Sequence, residues 1–393
     1  MSNEKNMTNN FKVLLIDGSS RQVMPLIKSF YDLGCHITTL NSSKLDMGYS
    51  SRYPQKKLLR FFSSKDPARS LQSLKDVFKE DRYDLLIPLN DFAATVLSKN
   101  KDFFHNTCAA VNDYPVFEYA CDKLKTMKVC MEHNIPCPKT ILTEELNGDF
   151  AKDLVYPVVV KPRTGYAAVG FSVVDTPEEL PERVQTTTEK FGPALVQEYI
   201  PQTGMQYKCE IFVDDSGTVK SAVVFAKIRW YPVNGGSSTL NETVDRPDII
   251  ESCIKLLHEI NWKGYADIDL IQDPRDNIAK IMEINPRITG SVKICYAAGV
   301  NFSKQLMQYA KGEEVDSILD YRKGVYLRYL HTDILWFLKS KNRFSARPSW
   351  FSFKNVTDQI FSPDDPIPFI TYSLQGIVKL FHEKARRSGK KNA

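Results

Sequence analysis

The chain has 393 residues, of which 42% are hydrophobic and 25% are charged, and its formal net charge is +5. This length suffices for two or three domains with ordinary cores, and so mild a charge gives no argument for nucleic-acid binding. The polar first ten residues and the lack of any run of about 18 apolar residues predict neither a signal peptide nor a transmembrane segment. The eight cysteines form no CxxC pair, so we expect reduced thiols in a cytoplasmic protein without a structural zinc site.

The first hundred residues predict a small doubly wound α/β domain. An apolar strand over 11–16, a helix over 22–33 and a strand over 36–40 form a β-α-β unit, and a later strand covers 84–88. The glycine fingerprint G-x-G-x-x-G is absent after the first strand, so no NAD site is predicted. Asp91 directly follows the last of these strands, at the sheet edge where such domains bind ligands. An equally weighted alternative is that Asp91 only caps the next helix.

Two later strands carry residues that suit a nucleotide. Lys161 lies near the end of the strand predicted over 156–162, and Gly165 and Gly170 follow in a loop of small residues. A lysine there can hold a phosphate as a point charge, and glycines let backbone N–H groups approach phosphate oxygens. Taken alone, Lys161 is more often a solvated surface lysine. Glu198 lies on a later apolar strand, where its carboxylate could accept a hydrogen bond from the exocyclic amine of adenine. The alternative interpretation is that this segment is an ordinary strand at the edge of a sheet.

An acidic motif further along the chain suits a metal ion. Glu283 and Asn285 are two residues apart, so on a strand they lie on one face, and Asp269 belongs to a neighbouring apolar run. Two carboxylates and an amide oxygen are ligands for a hard cation such as Mg²⁺. Arg287 then follows as a permanent cation that binds phosphoryl or carboxylate oxygens bidentately. The alternative interpretation is a hairpin with solvated acids.

The other segments position these motifs. We predict a hairpin over 209–228, a loop over 234–239 and a helix over about 248–260. Residues 329–339 are aromatic and apolar at helical spacing, and residues 369–387 form an amphipathic pattern with a basic end. Such an end can bind a membrane or a partner, but a terminal helix packed on its own domain is the favoured interpretation.

Taken in order, these motifs resemble the ATP-grasp superfamily and are most similar to its carbamoyl-phosphate-synthase-like carboxylate–amine ligases. The resemblance covers residues 12 to about 312. Its strongest single element is Glu283-Ile-Asn285-Pro-Arg287. The other matching elements are Lys123 on a helix, Val-Val-Val-Lys161-Pro, the glycine-containing loop, Gln-Glu198-Tyr-Ile and Asp269.

The resemblance implies a mixed α/β and α+β architecture. It places a Rossmann-like pre-ATP-grasp domain over residues 1–112 and a two-lobed ATP-grasp domain over 113–312. The lid of the second domain is expected at about 125–196. Residues 313–393 are left as a small C-terminal region.

The resemblance also implies roles for the matched residues. Lys161 and Arg287 are the expected catalytic residues. The residues expected to contact ATP are Lys123, Lys161, Thr164, Gly165, Gly170, Glu198, Tyr199, Ile200 and Gln206. The expected ligands of Mg²⁺, or of Mn²⁺ in its place, are Asp269, Glu283 and Asn285. The substrate side is expected to include Asp91, Lys227, Arg229, Ser237 and Ser291.

Two residues depart from the family pattern. Gln206 stands where relatives usually have an acid that holds the ribose hydroxyls, and an amide binds a hydroxyl more weakly than a carboxylate does. The phosphate loop carries the bulky Tyr166 where a smaller residue is common. Both departures concern nucleotide affinity and leave the metal ligands intact.

The resemblance predicts an ATP-dependent ligase that joins a small-molecule carboxylate to an amine through an acyl phosphate, releasing ADP and phosphate. The alternative is a non-catalytic ATP-binding sensor or assembly protein on the same fold. No nucleic-acid partner is predicted. The oligomeric state is left open, with a homodimer as one alternative.

Overall fold

The computed structural model describes residues 10–143, 154–165, 169–233 and 236–376. The strands in this part of the chain are, in order, β1 (Lys12–Ile16), β2 (His36–Asn41), β3 (Lys56–Leu59), β4 (Leu85–Pro88), β5 (Cys108–Ala109), β6 (Thr140–Leu142), β7 (Val158–Pro162), β8 (Ser172–Val174), β9 (Ala194–Glu198), β10 (Gln206–Val213), β11 (Val219–Tyr231), β12 (Ser237–Thr243), β13 (Gly264–Gln272), β14 (Ala279–Asn285), β15 (Tyr326–Arg328) and β16 (Val356–Asp358). The α-helices are α1 (Val23–Asp32), α2 (Met47–Ser50), α3 (Pro67–Glu80), α4 (Asp91–Lys99), α5 (Tyr114–Cys121), α6 (Lys123–Glu132), α7 (Leu180–Phe191), α8 (Pro247–Glu259), α9 (Lys293–Ala298), α10 (Phe302–Ala310) and α11 (Leu330–Lys339), and residues 367–376 are also helical.

The chain divides into two units, each built from separate stretches of sequence. The first unit contains residues 1–111, 228–243 and 287–393, and the second contains residues 112–227 and 244–286. The predicted domain boundaries at residues 112 and 312 stay predictions.

The first unit contains a parallel sheet with strand order β3-β2-β1-β4-β5. Residues 13–16 of the central strand β1 are fully buried, as expected for a strand covered on both faces. The turn after β1 passes so close to Asn41 that a Cβ on Gly18 would lie 1.9 Å from the Asn41 Oδ1 atom. Glycine is therefore required at the carboxyl end of β1, where a doubly wound sheet presents its ligand-binding edge. The unit also holds β12, which pairs antiparallel with β15, and β16, which pairs parallel with β15.

The second unit contains two antiparallel arrays. The smaller has strand order β6-β9-β7-β8. Its core contains Val158, Val160 and Val196. The larger has strand order β14-β13-β10-β11, with β11 leaving the unit after residue 227. The presence of parallel and antiparallel sheets together with helices confirms the predicted mixed α/β fold class.

One predicted segment is wrong. Residues 234–239 were expected to be a loop, but β12 begins at Ser237, and Thr239 and Leu240 are fully buried. The small polar residues of this segment are typical of loops. The Thr239 carbonyl instead accepts from the Tyr329 N–H at 2.8 Å, and β12 pairs from Leu240 onward with β15, which lies more than 80 residues later in the chain. Among the described residues, no helix is both long and apolar enough to cross a membrane.

Candidate functional site

The predicted metal ligands lie on one face of the larger array in the second unit. Residues opposite each other in an antiparallel pair point to the same face. Asp269 is opposite Glu283, and Asp267 is opposite Asn285. On the other side of β13, Lys208 is opposite Asp269. The three predicted ligands therefore share this face with an acid and a lysine that were not predicted.

Asp269 is held by three donors. Its carboxylate accepts from Lys227 Nζ at 2.7 Å and from Asn285 Nδ2 at 2.8 Å, and Lys208 Nζ lies 3.2 Å away. Burial alone would raise the pKa of Asp269, but the charges of Lys208 and Lys227 outweigh it and hold this pKa well below its ordinary value. Asp269 is therefore a fixed anion in the absence of any metal. Lys227, predicted on the substrate side, is a counter-charge of this acid.

Glu283 is the more accessible carboxylate of the pair, since 39% of its side chain is exposed. Burial and the charge of Asp269 raise its pKa, and Lys123, with Nζ 3.8 Å from the carboxylate, opposes this effect. A carboxylate with a raised pKa beside a second carboxylate is stabilised by an added cation. This electrostatic environment favours metal binding at Glu283.

The donor set fits a magnesium ion that also binds phosphate. No group of three or more His, Cys, Asp or Glu side chains able to hold a metal exists among the described residues. The site has two carboxylates, and because the amide nitrogen of Asn285 donates to Asp269, the Asn285 Oδ1 atom is left to act as a third ligand. Mg²⁺ is commonly held by one or two carboxylates and completes its shell with water and substrate phosphates. Asp269, Glu283 and Asn285 therefore fit a metal–nucleotide complex better than a metal ion alone.

The two lysines predicted to contact phosphates lie together in the second unit. Lys123 begins α6 and its Nζ donates to the Gly165 carbonyl at 2.6 Å. The Lys123 backbone N–H donates to the carbonyl of Arg163 at 3.0 Å, which ties the start of α6 to the end of β7. Burial, and then the charge of Lys123, lower the pKa of Lys161 on β7 to about 8. Two close ammonium groups are suited to a polyphosphate.

The phosphate loop is only partly described, since residues 166–168, including Tyr166, lie outside the described residues. Thr164 and Gly165 are exposed. Gly170 has φ +75°, and a Cβ there would lie 2.7 Å from Pro162, so glycine is required for two reasons. The predicted closure of this loop over phosphates stays a prediction.

The predicted adenine region is an ion-pair network. The Glu198 carboxylate accepts from the Lys139 N–H at 3.1 Å and also contacts Arg275 and, at 3.7 Å, Lys280. Tyr199 is half-buried and Ile200 is buried. The Gln206 side chain is half-buried at the start of β10, where its Nε2 atom donates to Gln202 at 3.2 Å. Adenine binding at Glu198 and ribose binding at Gln206 stay predictions.

In the first unit, Arg287 and Asp91 form a bidentate ion pair. Arg287 Nε and Nη2 donate to the two Asp91 carboxylate oxygens at 2.8 and 3.0 Å. The cap of α4 is instead Asn90, whose side chain accepts from the Ala93 N–H at 2.7 Å. The alternative that Asp91 acts only as a helix cap is therefore wrong.

Arg229 is in the interior of the first unit. Its side chain is 2% exposed, its Nη1 atom is 3.3 Å from Asp333 and its guanidinium lies 4.6 Å from the centre of the Trp336 ring. Because this guanidinium is buried and already paired, we correct the predicted substrate contact to a structural role. Ser237 is exposed at the start of β12, whereas Ser291 is buried with its hydroxyl 2.8 Å from that of Thr289.

Sequence reasoning missed Lys208 and Asp267. Lys208 contacts the fully buried Asp267 as well as Asp269. The signal was available, since positions 206, 208 and 210 are polar and alternate with Tyr207, Cys209 and Ile211. Such alternation predicts a strand with one polar face.

The chain is similar in sequence to known proteins. Residues 120–291 match the family described as the ATP-grasp domain. A D-aspartate ligase of Enterococcus faecium is 28% identical over 251 residues, covering 58% of this chain and 58% of that protein. A D-alanine–D-alanine ligase of Bacillus anthracis is 28% identical over 201 residues, covering 47% of this chain and 64% of that protein. The chain thus spans less than two thirds of the length of these relatives.

The fold has close structural counterparts. A biotin carboxylase from Campylobacter jejuni, solved as a complex with a β,γ-ATP ligand, superposes with a TM-score of 0.65 at 16% identity. The superposition covers 80% of this chain and 74% of that one. At this identity the similarity concerns the fold alone.

Proposed function

We propose that this chain, whose residues 120–291 form an ATP-grasp domain, is an ATP-dependent ligase that joins a small-molecule carboxylate to an amine. The main support for this proposal is the position of Lys123. Its Nζ atom lies 3.8 Å from the Glu283 carboxylate, on the strand face that also holds Asp269. A phosphate-binding cation and two metal-binding carboxylates within one unit are what phosphoryl transfer requires.

The proposed reaction has two steps. A carboxylate oxygen attacks the γ-phosphorus of ATP, an O–P bond forms, and ADP leaves. The amine nitrogen then attacks the acyl carbon, phosphate leaves, and the amine gives up a proton. Neither step needs a nucleophilic side chain, because positioning and electrostatic stabilisation supply the catalysis.

The chain's own residues have distinct roles in this proposal. Lys123 and Lys161 hold phosphate oxygens, and Asp269, Glu283 and Asn285 hold Mg²⁺, which neutralises phosphate charge when bound. Arg287, held by Asp91, stabilises the transferred phosphoryl group. Lys208 and Lys227 keep Asp269 ionised.

The named activities of the relatives suggest a substrate class. Two of them are ligases named for D-aspartate and D-alanine, so we propose an amino acid as one of the two substrates. A cytoplasmic location and a homodimeric state stay predictions. The competing proposal is a non-catalytic ATP-binding protein, for which Gln206 in place of an acid is the supporting observation.

A screen for ADP release separates the two proposals. The purified protein is incubated with ATP and Mg²⁺ alone and with pairs drawn from a library of L- and D-amino acids and small carboxylic acids. We expect ADP and phosphate to accumulate only with a productive pair, together with a condensed product detectable by mass spectrometry. ATP binding with no ADP release from any pair would favour the non-catalytic protein.

Nucleotide binding should be linked to protonation of Lys161. Its pKa of about 8 means that the ammonium is fully charged at pH 6.5 and largely neutral at pH 9. Because phosphates favour the charged form, the contribution of Lys161 to ATP affinity should be nearly constant up to about pH 7, fall about twofold by pH 8 and then fall by up to about tenfold per pH unit. At pH 8.5, binding should take up about 0.8 protons, measured by titration calorimetry in two buffers of different ionisation enthalpy.

A charge-preserving variant tests this assignment. Arginine stays protonated throughout this pH range, so Lys161→Arg should abolish the proton uptake, while the control Lys128→Arg on α6 should retain it. Unchanged uptake in Lys161→Arg would assign the linkage to another group.

A further inference from the structure

One segment of the first unit has an unusual charge and aromatic content. Residues 334–355 include no acidic residue, although the whole chain has 47 Asp and Glu residues. The segment has six aromatic residues and five basic residues. The basic residues are Lys339, Lys341, Arg343, Arg347 and Lys354.

Large apolar side chains of this segment are exposed. On α11, Ile334 and Leu338 lie one turn apart and are 42% and 62% exposed. In the following segment, Phe344 and Phe353 are each 74% exposed and Phe351 is 58% exposed. These five side chains and the five basic residues are called the aromatic–basic surface below.

Two exposed rings of this surface pack on the neighbouring rings of Phe337 and Trp350. The Phe337 ring lies 4.7 Å from that of Trp350 and 5.6 Å from those of Phe344 and Phe351, measured between ring centres. Two of these contacts are edge-to-face. Phe344 and Phe351 are therefore exposed members of one ring cluster.

Two buried arginines fix the backbone under the rings. Arg229 donates through Nη2 to the Pro348 carbonyl. Arg328 donates through Nη2 to the carbonyls of Trp350 and Ser352 at 2.9 and 3.1 Å. The exposed rings therefore stand on a rigid support, and their exposure is a property of a folded segment.

The cations around the rings are not neutralised within the part of the chain that the structure describes. None of the five basic residues of the surface forms an ion pair there. The Arg343 guanidinium lies 5.3 Å from the centre of the Phe344 ring. The surface thus combines an apolar centre with uncompensated positive charge.

We propose that the aromatic–basic surface lies on an anionic lipid bilayer and holds the protein at the membrane surface. Apolar side chains that enter the headgroup region, flanked by Lys and Arg, are how a peripheral protein binds the membrane interface. Each basic residue near an anionic leaflet contributes about a fivefold increase in partition. This location is independent of the proposed ligase activity.

The packing favours a bilayer over single-stranded nucleic acid. Base stacking requires open ring faces, whereas the guanidinium groups of Arg343 and Arg328 lie over the Phe344 and Phe353 rings, 5.3 and 5.5 Å from the ring centres. Ile334 and Leu338 extend the surface with aliphatic groups that offer a base no hydrogen bond. Five like charges also repel those of a second copy of the chain placed on the same surface.

The test is sedimentation with vesicles of phosphatidylcholine alone or with 30% phosphatidylserine. We expect the full chain to bind only the anionic vesicles, with a partition coefficient that falls as salt is added. Lys339→Glu/Lys341→Glu should lower the partition coefficient at least tenfold, as should Leu338→Ser/Phe344→Ser.

Matched controls separate this surface from general charge. Lys44→Glu/Lys65→Glu changes the net charge equally at exposed lysines outside the surface, and Phe103→Ser removes another exposed ring, 44% exposed. Both controls should bind vesicles as wild type does. Residues 377–393, outside the described part, are the same in all variants, so their charge cancels in the comparison.

Three results would overturn the proposal. The first is equal binding to both kinds of vesicle, or no binding to either kind. The second is vesicle binding by Lys339→Glu/Lys341→Glu at the wild-type level, with circular dichroism showing that both proteins are folded. The third is tight binding of a single-stranded oligonucleotide, or dimerisation seen by light scattering, that only the surface variants lose.

Discussion

Glu283→Gln is expected to reduce Mg²⁺-dependent ADP release at least 100-fold, the loss typical of removing one charge-stabilising group from a transition state. The glutamine keeps the size of the side chain and one carbonyl oxygen but removes the negative charge that a metal requires. The measurement is the initial rate of ADP release with the productive substrate pair, over a range of Mg²⁺ concentrations.

Substitution of Glu283 tests metal binding more specifically than substitution of Asp269 does. Asp269 pairs with Lys208 and Lys227, so its replacement would leave Lys227 without this counter-charge and Lys208 with Asp267 alone, and would disturb folding as well. Glu283 is 39% exposed and its nearest cation, Lys123, is 3.8 Å away. Its substitution therefore changes metal binding with little effect on the free energy of unfolding.

The control for this experiment is Glu251→Gln, an exposed acid on α8 of the same unit. It should keep wild-type activity and Mg²⁺ dependence. If Glu283→Gln retained more than a tenth of wild-type turnover at saturating Mg²⁺, the carboxylate would not be a metal ligand in catalysis.

Local sequence patterns predicted helices and strands best where the residues of one continuous stretch determine its secondary structure and burial. The strand at residues 11–16 is a continuous apolar run between turn residues, and β1 occupies Lys12–Ile16. Glu283 and Asn285 share a face because strand periodicity places them there, and the register of the neighbouring strand brings Asp269 opposite Glu283. Their side-chain contacts then follow from a hairpin between nearby strands.

Partners distant in sequence could not be predicted. Arg229 is 104 residues from Asp333, and Asp91 is 196 residues from Arg287. Nothing in the local pattern around either arginine indicates whether its partner will be a substrate or an acid of the protein. α7 was not predicted either. Its apolar residues Leu180, Val184 and Phe191 follow helical spacing, but the stripe is interrupted by Thr187 and the rest of the sequence is polar.

Arg287→Ala is expected to lower turnover by about 100-fold or more, as the loss of an oxyanion donor does. The guanidinium is held in one orientation by two hydrogen bonds to Asp91, which fixes the position from which its charge meets the charge that develops on the phosphoryl group. Arg287→Lys keeps the charge but loses the bidentate geometry, so its turnover should lie between those of wild type and Arg287→Ala.

Substitution of Asp91 distinguishes two roles of its ion pair with Arg287, the positioning of Arg287 for catalysis and a purely structural role. Asp91→Asn weakens the hold on Arg287 without removing the cation, so we expect a loss of turnover of about tenfold, smaller than that of Arg287→Ala. In the double variant the two losses should not add, because Asp91 acts only through Arg287. Urea unfolding of all three variants supplies the stability readout. If Arg287→Ala lost stability yet kept wild-type turnover, the pair would be structural and the phosphoryl group would have to be neutralised by the lysines and the metal alone.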